Sequence, residues 1–196
     1  MQRIMIIGGP GSGKSTLARF LGQKLGLPVV QIDPMFWAPG WVQRDPTQTQ
    51  VLIAAAAARD AWIFAGISSC SYAGRADRAD LIVFPDLPRS LCLWRILHRR
   101  FRFHRRTRPE MPADCPERRG LTFLAEVWSW DHRTRPTASA LLDRVKGRTR
   151  AVRLVSPQAP YASFWLILMR SKVGLDPPLP AAPLAAKPPP HDYTPA

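Results

Sequence analysis

The sequence predicts a three-layer α/β fold in which a five-stranded parallel sheet carries helices on both faces. Short apolar segments alternate along the chain with segments of helical periodicity, a pattern typical of parallel strands joined by helical crossovers. The chain has 196 residues, of which 46% are hydrophobic, and this is enough for one domain with a sizeable core. The five predicted strands are residues 4–7, 28–32, 62–66, 79–84 and 151–155.

The helices between these strands are predicted from apolar spacing and from capping residues. Residues 15–25 place Leu17 and Leu21 on one helical face. Asp45 followed by Pro46 is a typical helix start and predicts a helix to about residue 60. Residues 34–41 are predicted to be a loop, and the remaining helices are one opened by Pro88, then 121–130, 138–145 and 156–172.

Residues 8–16, GGPGSGKST, match the pattern G-x-x-x-x-G-K-[ST], which is typical of loops that bind nucleotide phosphates. Glycines let the backbone curl so that several N–H groups converge on phosphate oxygens. Lys14 is expected to place its charge on the β- and γ-phosphates, and the Ser15 hydroxyl to take one Mg²⁺ position. A buried strand before the loop and a helix after it disfavour an ordinary glycine-rich turn. The predicted cofactors are ATP and Mg²⁺, held by Gly8, Gly9, Pro10, Gly11, Ser12, Gly13, Lys14, Ser15 and Thr16.

Asp33 is the candidate catalytic carboxylate, because it directly follows the second predicted strand. Ligands of parallel sheets bind at the carboxyl ends of the strands, where the phosphate loop also lies. A carboxylate there is suited to supporting the metal or to accepting a proton from an attacking hydroxyl. The alternative is an aspartate that starts a turn with Pro34, and the position at the rim favours the functional role. Asp86 is predicted to cap a helix rather than to bind a metal.

The formal net charge of +14 comes almost entirely from arginine and requires an explanation. Guanidinium groups are forked donors that suit phosphate oxygens, so an ATP-handling site is one explanation. Attraction of nucleic acid is a second, and a genome rich in arginine codons is a third. No recognition helix or RNA-binding motif is found, so nucleic acid is a possible partner that the sequence does not favour.

An arginine-dense segment, about residues 99–120, is predicted to be a lid over the transferring phosphate. A mobile basic segment that closes over this group neutralises its charge and excludes water. Arg95 and Arg99 are separated by one helical turn, so both can face one phosphate chain, and they are the predicted catalytic arginines. For any single arginine of the segment, a solvated surface position is the competing explanation.

Two further pairs of residues leave alternatives open. Arg75 and Arg78 follow the third strand, where they suit either an acidic acceptor or the surface of a short helix. Trp37 and Trp41 suit either stacking on an acceptor or local packing, and aromatic residues beside a Pro-Gly pair favour packing.

Several classes of protein are disfavoured. Three cysteines without C-x-x-C spacing imply neither a disulfide framework nor a closed zinc site. No apolar run approaches the ~20 residues of a membrane span, and the first residues lack a secretory pattern. The expectation is a cytoplasmic protein with no membrane partner.

These features together resemble a family of small kinases related to adenylate kinase, whose bacterial members are often labelled DNA-topology-modulation proteins. The matching segments are IMIIGGPGSGKSTLA, QIDPMFWAPGW, WIFAG, ADLIVFPDLPRSLCLWRILHR and RPEMPADCPER, in that order over about residues 2–157. The resemblance implies a P-loop fold, an acceptor region at 33–41, a lid at 99–119 and an adenine site near Ser156. In such proteins the third strand usually continues as Asp-Gly-Asn-Tyr, whereas this chain has Ala65-Gly66-Ile67-Ser68.

The sequence therefore favours an ATP-dependent kinase that transfers the γ-phosphate to an unidentified small hydroxyl or phosphate acceptor. Ala65 lacks the carboxylate that would support Mg²⁺, so Asp33 takes this role or catalysis is weakened. The alternatives are a nucleic-acid-associated regulator and a catalytically weakened ATP-binding protein. The predicted domain spans residues 1–173, and the Pro/Ala-rich residues 174–196 are predicted to be a disordered tail.

Overall fold

The computed structural model describes residues 1–68, 71–117 and 121–156. Its main sheet has five parallel strands in the order β2-β5-β1-β6-β7. The predicted fold class is confirmed, with strand bounds that differ from the predicted ones by one or two residues. The strands of this sheet are β1 (Arg3–Ile6), β2 (Val29–Gln31), β5 (Trp62–Ala65), β6 (Leu81–Pro85) and β7 (Arg150–Leu154).

Helices follow these strands as crossovers. The long ones are α1 (Lys14–Leu25), α3 (Pro46–Ala57), α5 (Arg89–Arg102), α6 (Leu121–Arg133) and α7 (Arg135–Val145), and α4 (Tyr72–Arg78) is shorter. Asp45 caps α3 as predicted, since its carboxylate accepts hydrogen bonds from Thr47 N and Gln48 N. Within the described residues no helix is long and apolar enough to cross a membrane.

Apolar residues on both faces of the sheet produce the three layers. Successive residues of a strand point to opposite faces, and both neighbouring residues Met5 and Ile6 of β1 are fully buried. Met5 belongs to a cluster with residues of α3, α4 and α7, and Ile6 to a cluster with α1. Such continuous burial is typical of parallel sheets that are covered on both faces.

The segment predicted to be a loop at residues 34–41 has more structure than expected. It contains the one-turn helix α2 (Asp33–Phe36), and then β3 (Trp37–Ala38) and β4 (Val42–Gln43), which pair as an antiparallel hairpin. Gly40 and Trp41 adopt positive φ angles of 76° and 62° and turn the chain between the two strands. Prolines suggested a loop here, but Pro34 lies in the first turn of α2, where proline is tolerated.

Other predicted boundaries also shift. Helix α7 begins at Arg135 rather than at residue 138, because Pro136 occupies its first turn. Helix α5 continues to Arg102, so the first arginines of the predicted lid are helical. The lid coil that the structure describes is residues 103–117, called the lid segment below. The predicted helix at 156–172 and the predicted tail at 174–196 lie, apart from Ser156, outside the described residues.

Candidate functional site

The glycine-rich loop leaves β1 at the carboxyl edge of the sheet and leads into α1. Gly8, Gly11 and Gly13 have φ angles of 141°, 77° and 90°, in the region that only glycine enters without strain. Helix α1 begins at Lys14, and no side chain caps its N-terminus. The free N–H groups of a first helical turn are a ready site for an anion, so the loop geometry fits phosphate binding.

Two of the predicted loop ligands, Lys14 and Ser12, have polar side-chain groups packed against the loop. Lys14 Nζ lies over the loop and donates to the Gly9 carbonyl oxygen at 2.7 Å. The Ser12 hydroxyl is buried and, among the described residues, has no hydrogen-bond partner. Pro10 and Gly11 are half-buried, whereas the side chain of Thr16 is exposed.

The predicted metal ligand Ser15 lies beside the last residue of β2. Its hydroxyl donates to Gln31 Oε1 at 3.2 Å, and Gln31 Nε2 has no hydrogen-bond partner among the described residues. Oxygen atoms of hydroxyl and amide groups are ligands that Mg²⁺ and related hard cations accept, so this pair fits the metal. Sequence reasoning missed Gln31, although its place at the end of β2 puts it on the same rim as the loop.

At the third-strand position where the resembled family has a carboxylate, this chain has a buried alanine. Ala65 ends β5, is 1% exposed, and accepts a hydrogen bond from Ile32 N through its carbonyl oxygen. Asp33 follows Ile32 as the first residue of α2, and its side chain is 48% exposed. The carboxylate contributed to this rim by the second strand and its helix is therefore accessible to a ligand, whereas position 65 contributes none.

The two predicted catalytic arginines lie along α5 above the loop. A Cβ atom built on Gly13 would lie 3.5 Å from Arg95 Nη1, so the Arg95 guanidinium adjoins the start of α1. One turn later, Arg99 Nη2 lies 3.7 Å from Glu117 Oε1 in the lid segment. The structure thus places Arg95 at the phosphate loop and Arg99 beside Glu117 of the lid segment.

The lid segment docks on the hairpin of β3 and β4. Trp41 Nε1 donates to the Pro116 carbonyl oxygen at 2.8 Å, and Trp41 N donates to Cys115 Sγ at 3.3 Å. Gly40 N donates to the Ala113 carbonyl oxygen at 3.3 Å. The predicted acceptor region and the predicted lid are therefore joined directly by hydrogen bonds.

Trp37 and Trp41 pack against each other edge to face, with ring centroids 5.3 Å apart. Since the Trp41 indole N–H is also bonded to the lid segment, local packing explains both residues.

Two predictions for charged residues are wrong. Asp86 does not cap a helix, because α5 has Pro88 at its N-cap, and the Asp86 carboxylate instead accepts hydrogen bonds from Arg135 and Arg153. Burial acts to raise the pKa of Asp86, but the hydrogen bonds and charges of these two arginines outweigh it and hold the pKa below its ordinary value. The carboxylate therefore joins β6, α7 and β7.

Arg75 is neither a surface residue nor an accessible acceptor ligand. It is 1% exposed, donates to the Ser71 and Ser68 carbonyl oxygens, and lies over the Phe64 ring at 5.0 Å. The neighbouring Tyr72 is also buried, and burial raises its pKa to about 12 although the charge of Arg75 opposes the shift. Arg78, which is exposed, donates to the Ala58 carbonyl oxygen.

An aromatic residue that sequence reasoning missed packs on the outside of the loop. A Cβ atom on Gly9 would lie 3.0 Å from the Trp130 ring. Trp130 and Val127 of α6, with Leu87 and Cys92, line a recess that the loop borders through Gly9, Pro10 and Ser12. Only the three-dimensional packing of α6 against the loop reveals this contact, since Gly9 and Trp130 lie 121 positions apart in the sequence.

Comparison with known proteins supports the same fold and the same loop. Residues 4–65 match a family described as "ATPase family associated with various cellular activities (AAA)". A solved structure, shikimate kinase from Acinetobacter baumannii in complex with shikimate, superposes with a TM-score of 0.56 at 18% sequence identity, covering 88% of this chain and 96% of that chain. No curated protein matches the sequence.

The narrower resemblance to DNA-topology-modulation proteins stays a prediction. The glycine-rich loop lies within the matched residues 4–65, and the parallel sheet with its flanking helices has the fold that the shikimate kinase also has.

Proposed function

We propose that the protein is an ATP-dependent phosphotransferase that acts on a small acceptor. The observation that carries the proposal is the convergence of Lys14, Ser15 and Arg95 on one loop, with Asp33 accessible at the same edge of the sheet. A phosphoryl transfer needs little covalent chemistry from the protein, so positioning and charge stabilisation account for most of the catalysis. In the proposed reaction, this arrangement would supply both.

Each residue has a role that follows from its place. The loop N–H groups and Lys14 would hold the phosphates, and Ser15 with Gln31 or Asp33 would hold Mg²⁺. When bound, ATP with Mg²⁺ supplies the phosphoryl group and an electrophilic metal charge. Arg95 and Arg99 would stabilise the negative charge that develops on the transferring group, and Asp33 would accept the proton of the acceptor hydroxyl.

The test is a phosphotransfer screen with wild type and the Lys14→Ala variant. Wild type is expected to transfer phosphate from ATP to at least one acceptor among nucleoside monophosphates and small hydroxyl compounds. Lys14→Ala is expected to lose about 10²-fold or more in rate, since one lost charge-assisted contact in the transition state costs a few kcal/mol. Product formation is measured by mass spectrometry.

The control for this test is Lys24→Ala, which removes the same charge from an exposed site in the last turn of α1. It should leave transfer and ATP binding unchanged. The proposal fails if wild type neither binds ATP nor forms a product that depends on Lys14.

A catalytically weakened ATP-binding protein is the second candidate, favoured by the amide of Gln31 beside Ser15 and by Ala65. An amide oxygen carries no net charge, so it holds a divalent cation less strongly than a carboxylate. If this candidate is correct, wild type binds ATP without transfer, and Gln31→Glu gains Mg²⁺ affinity in a titration of ATP binding. Equal Mg²⁺ affinity in the two proteins would contradict it.

A further inference from the structure

One arginine of the lid segment differs from its neighbours in burial. Arg108 is 5% exposed, whereas Arg105 and Arg106 are exposed. A guanidinium is seldom buried unless it is paired, because desolvation of the charge is costly. The burial of Arg108 therefore needs an explanation. The exposed arginines of the segment need none, because water solvates their charges.

Its ion-pair partner within the lid segment is Glu117, which also faces Arg99. Arg108 Nε lies 2.8 Å from Glu117 Oε2, and Arg99 Nη2 lies 3.7 Å from Glu117 Oε1. Glu117 is itself 8% exposed. One carboxylate thus faces two guanidinium groups, and the three side chains together carry one positive charge in excess.

Asp33 is the fourth charged group of this cluster, and its carboxylate brings the net charge of the four side chains to zero. Arg108 Nη2 lies 4.0 Å from Asp33 Oδ2, which is beyond hydrogen-bond distance. Among the described residues, Nη2 has no hydrogen-bond acceptor. A buried charged donor without an acceptor is costly, and the half-exposed Asp33 side chain marks the side from which an acceptor can arrive.

We propose that Arg108 binds an oxyanion, a carboxylate or a phosphate, on the phosphate-accepting substrate. The planar fork of a guanidinium suits both groups. This inference rests on the proposed function, and it narrows the acceptor to a small acidic compound whose hydroxyl lies toward Asp33. Arg108 is then a specificity-determining residue, while Arg95 and Arg99 serve the phosphates held by the loop.

The experiment measures binding rather than turnover. The full chain is saturated with Mg²⁺ and a non-hydrolysable ATP analogue, so that the loop is occupied. The acidic probes are inorganic phosphate, gluconate, glycerol 3-phosphate and AMP, and the neutral counterparts are glucose, glycerol and adenosine. Thermal stabilisation and calorimetric Kd are recorded for wild type, for Arg108→Gln and for Arg106→Gln, which removes the same charge from an exposed position of the same segment.

At least one acidic probe is expected to bind wild type and Arg106→Gln, with its neutral counterpart binding more weakly. Arg108→Gln should lose about tenfold or more in affinity, the effect of one charge-assisted hydrogen bond. Since this variant leaves Glu117 buried beside a lost partner, the double variant Arg108→Gln/Glu117→Gln is measured as well. A single cooperative thermal unfolding transition shows that each variant is folded.

Three results would overturn the inference: no acidic probe binds wild type, Arg106→Gln loses as much affinity as Arg108→Gln, or the loss falls on the ATP analogue instead. The outcome is separable from that of the proposed function. Binding that depends on Arg108 without any transfer would leave the inference standing and the kinase proposal refuted. Transfer to a neutral acceptor that is unaffected by Arg108→Gln would do the reverse.

Discussion

Gly11 illustrates how closely the phosphate loop is packed at the scale of single residues. A Cβ atom on Gly11 would lie 2.4 Å from the Cys92 carbonyl oxygen, on the first turns of α5, and its φ angle is 77°. The atoms nearest to the added Cβ are all backbone atoms of Cys92, so no flexible side chain can move aside to make room. The glycine is therefore required by packing as well as by the curl of the loop.

Gly11→Ala is expected to destabilise the protein by about 3 kcal/mol, because a positive φ costs roughly 1–2 kcal/mol and overpacking adds about the same or more. The matched control is Gly26→Ala, which has a φ of 66° and nothing within 4 Å of its added Cβ. It should cost only the backbone term. Urea unfolding of both variants checks this, and equal losses would show that the contact with Cys92 carries no strain.

At this scale the sequence predicts the loop residues well and their partners poorly. Lys14 and Ser15 follow from a motif whose members are adjacent in the chain. Gln31 and Arg108 could not be found in this way, because their importance depends on contacts made across the fold. Arg75 is a further example, since its neighbours in the sequence do not indicate whether its guanidinium is buried or exposed.

At the scale of elements, the lid segment docks on the β3–β4 hairpin. The sequence predicted a lid but not this contact. Besides the bonds of Trp41, the segment is tied to α1 by an ion pair between Arg19 Nη1 and Glu110 Oε1 at 2.7 Å. The density of arginines in the sequence suggested a mobile segment. The side-chain contacts instead hold it against two elements.

Trp41→Phe removes the indole bond to Pro116 while keeping an aromatic ring. The loss of about 1 kcal/mol for one hydrogen bond should raise the open population of the lid segment about fivefold, and cleavage by trypsin at the exposed Arg105 and Arg106 should accelerate accordingly. Trp37→Phe is the control, since it alters the same ring pair without touching the bond to Pro116. Mass spectrometry of timed digests gives both rates, and equal rates would argue against docking through Trp41.

The elements themselves were largely predictable. Alternating apolar strands and capped helices identified the sheet and the helices after it, and Asp45 marked the start of α3. The failures lie at α2 and α7, where a proline occupies the first helical turn, a position in which proline is tolerated.

At the scale of the whole molecule, Asp86 connects parts of the chain that are far apart in sequence. Its side chain is 4% exposed and pairs with Arg135 and Arg153, whose side chains are 38% and 45% exposed. Because the Asp86 carboxylate joins β6, α7 and β7, the stability of this edge of the sheet depends on the ionised state of Asp86.

Asp86→Asn is expected to lower the free energy of unfolding at pH 7 by about 1–2 kcal/mol, a value reduced for the solvent exposure of both arginines. Because the folded-state pKa lies below its ordinary value of 3.8, the stabilisation is present above that pH and is lost as the pH falls through the folded pKa. Wild type and variant should therefore converge toward pH 3. Urea titrations from pH 7 to pH 3 measure this, with the exposed Asp60→Asn as control, and a difference that stayed constant with pH would contradict the assignment.

The position of Glu117 has a consequence for how two ligands influence each other. One carboxylate faces both Arg99 of α5 and Arg108, which lies beside Asp33. An anion that engages either arginine changes how much of the carboxylate's charge remains for the other. If both sides bind ligands, their affinities are thermodynamically coupled, and the coupling must be the same in both directions. We therefore expect the nucleotide and the acidic acceptor to alter each other's affinity, with Glu117 as the shared counter-ion through which each affects the other.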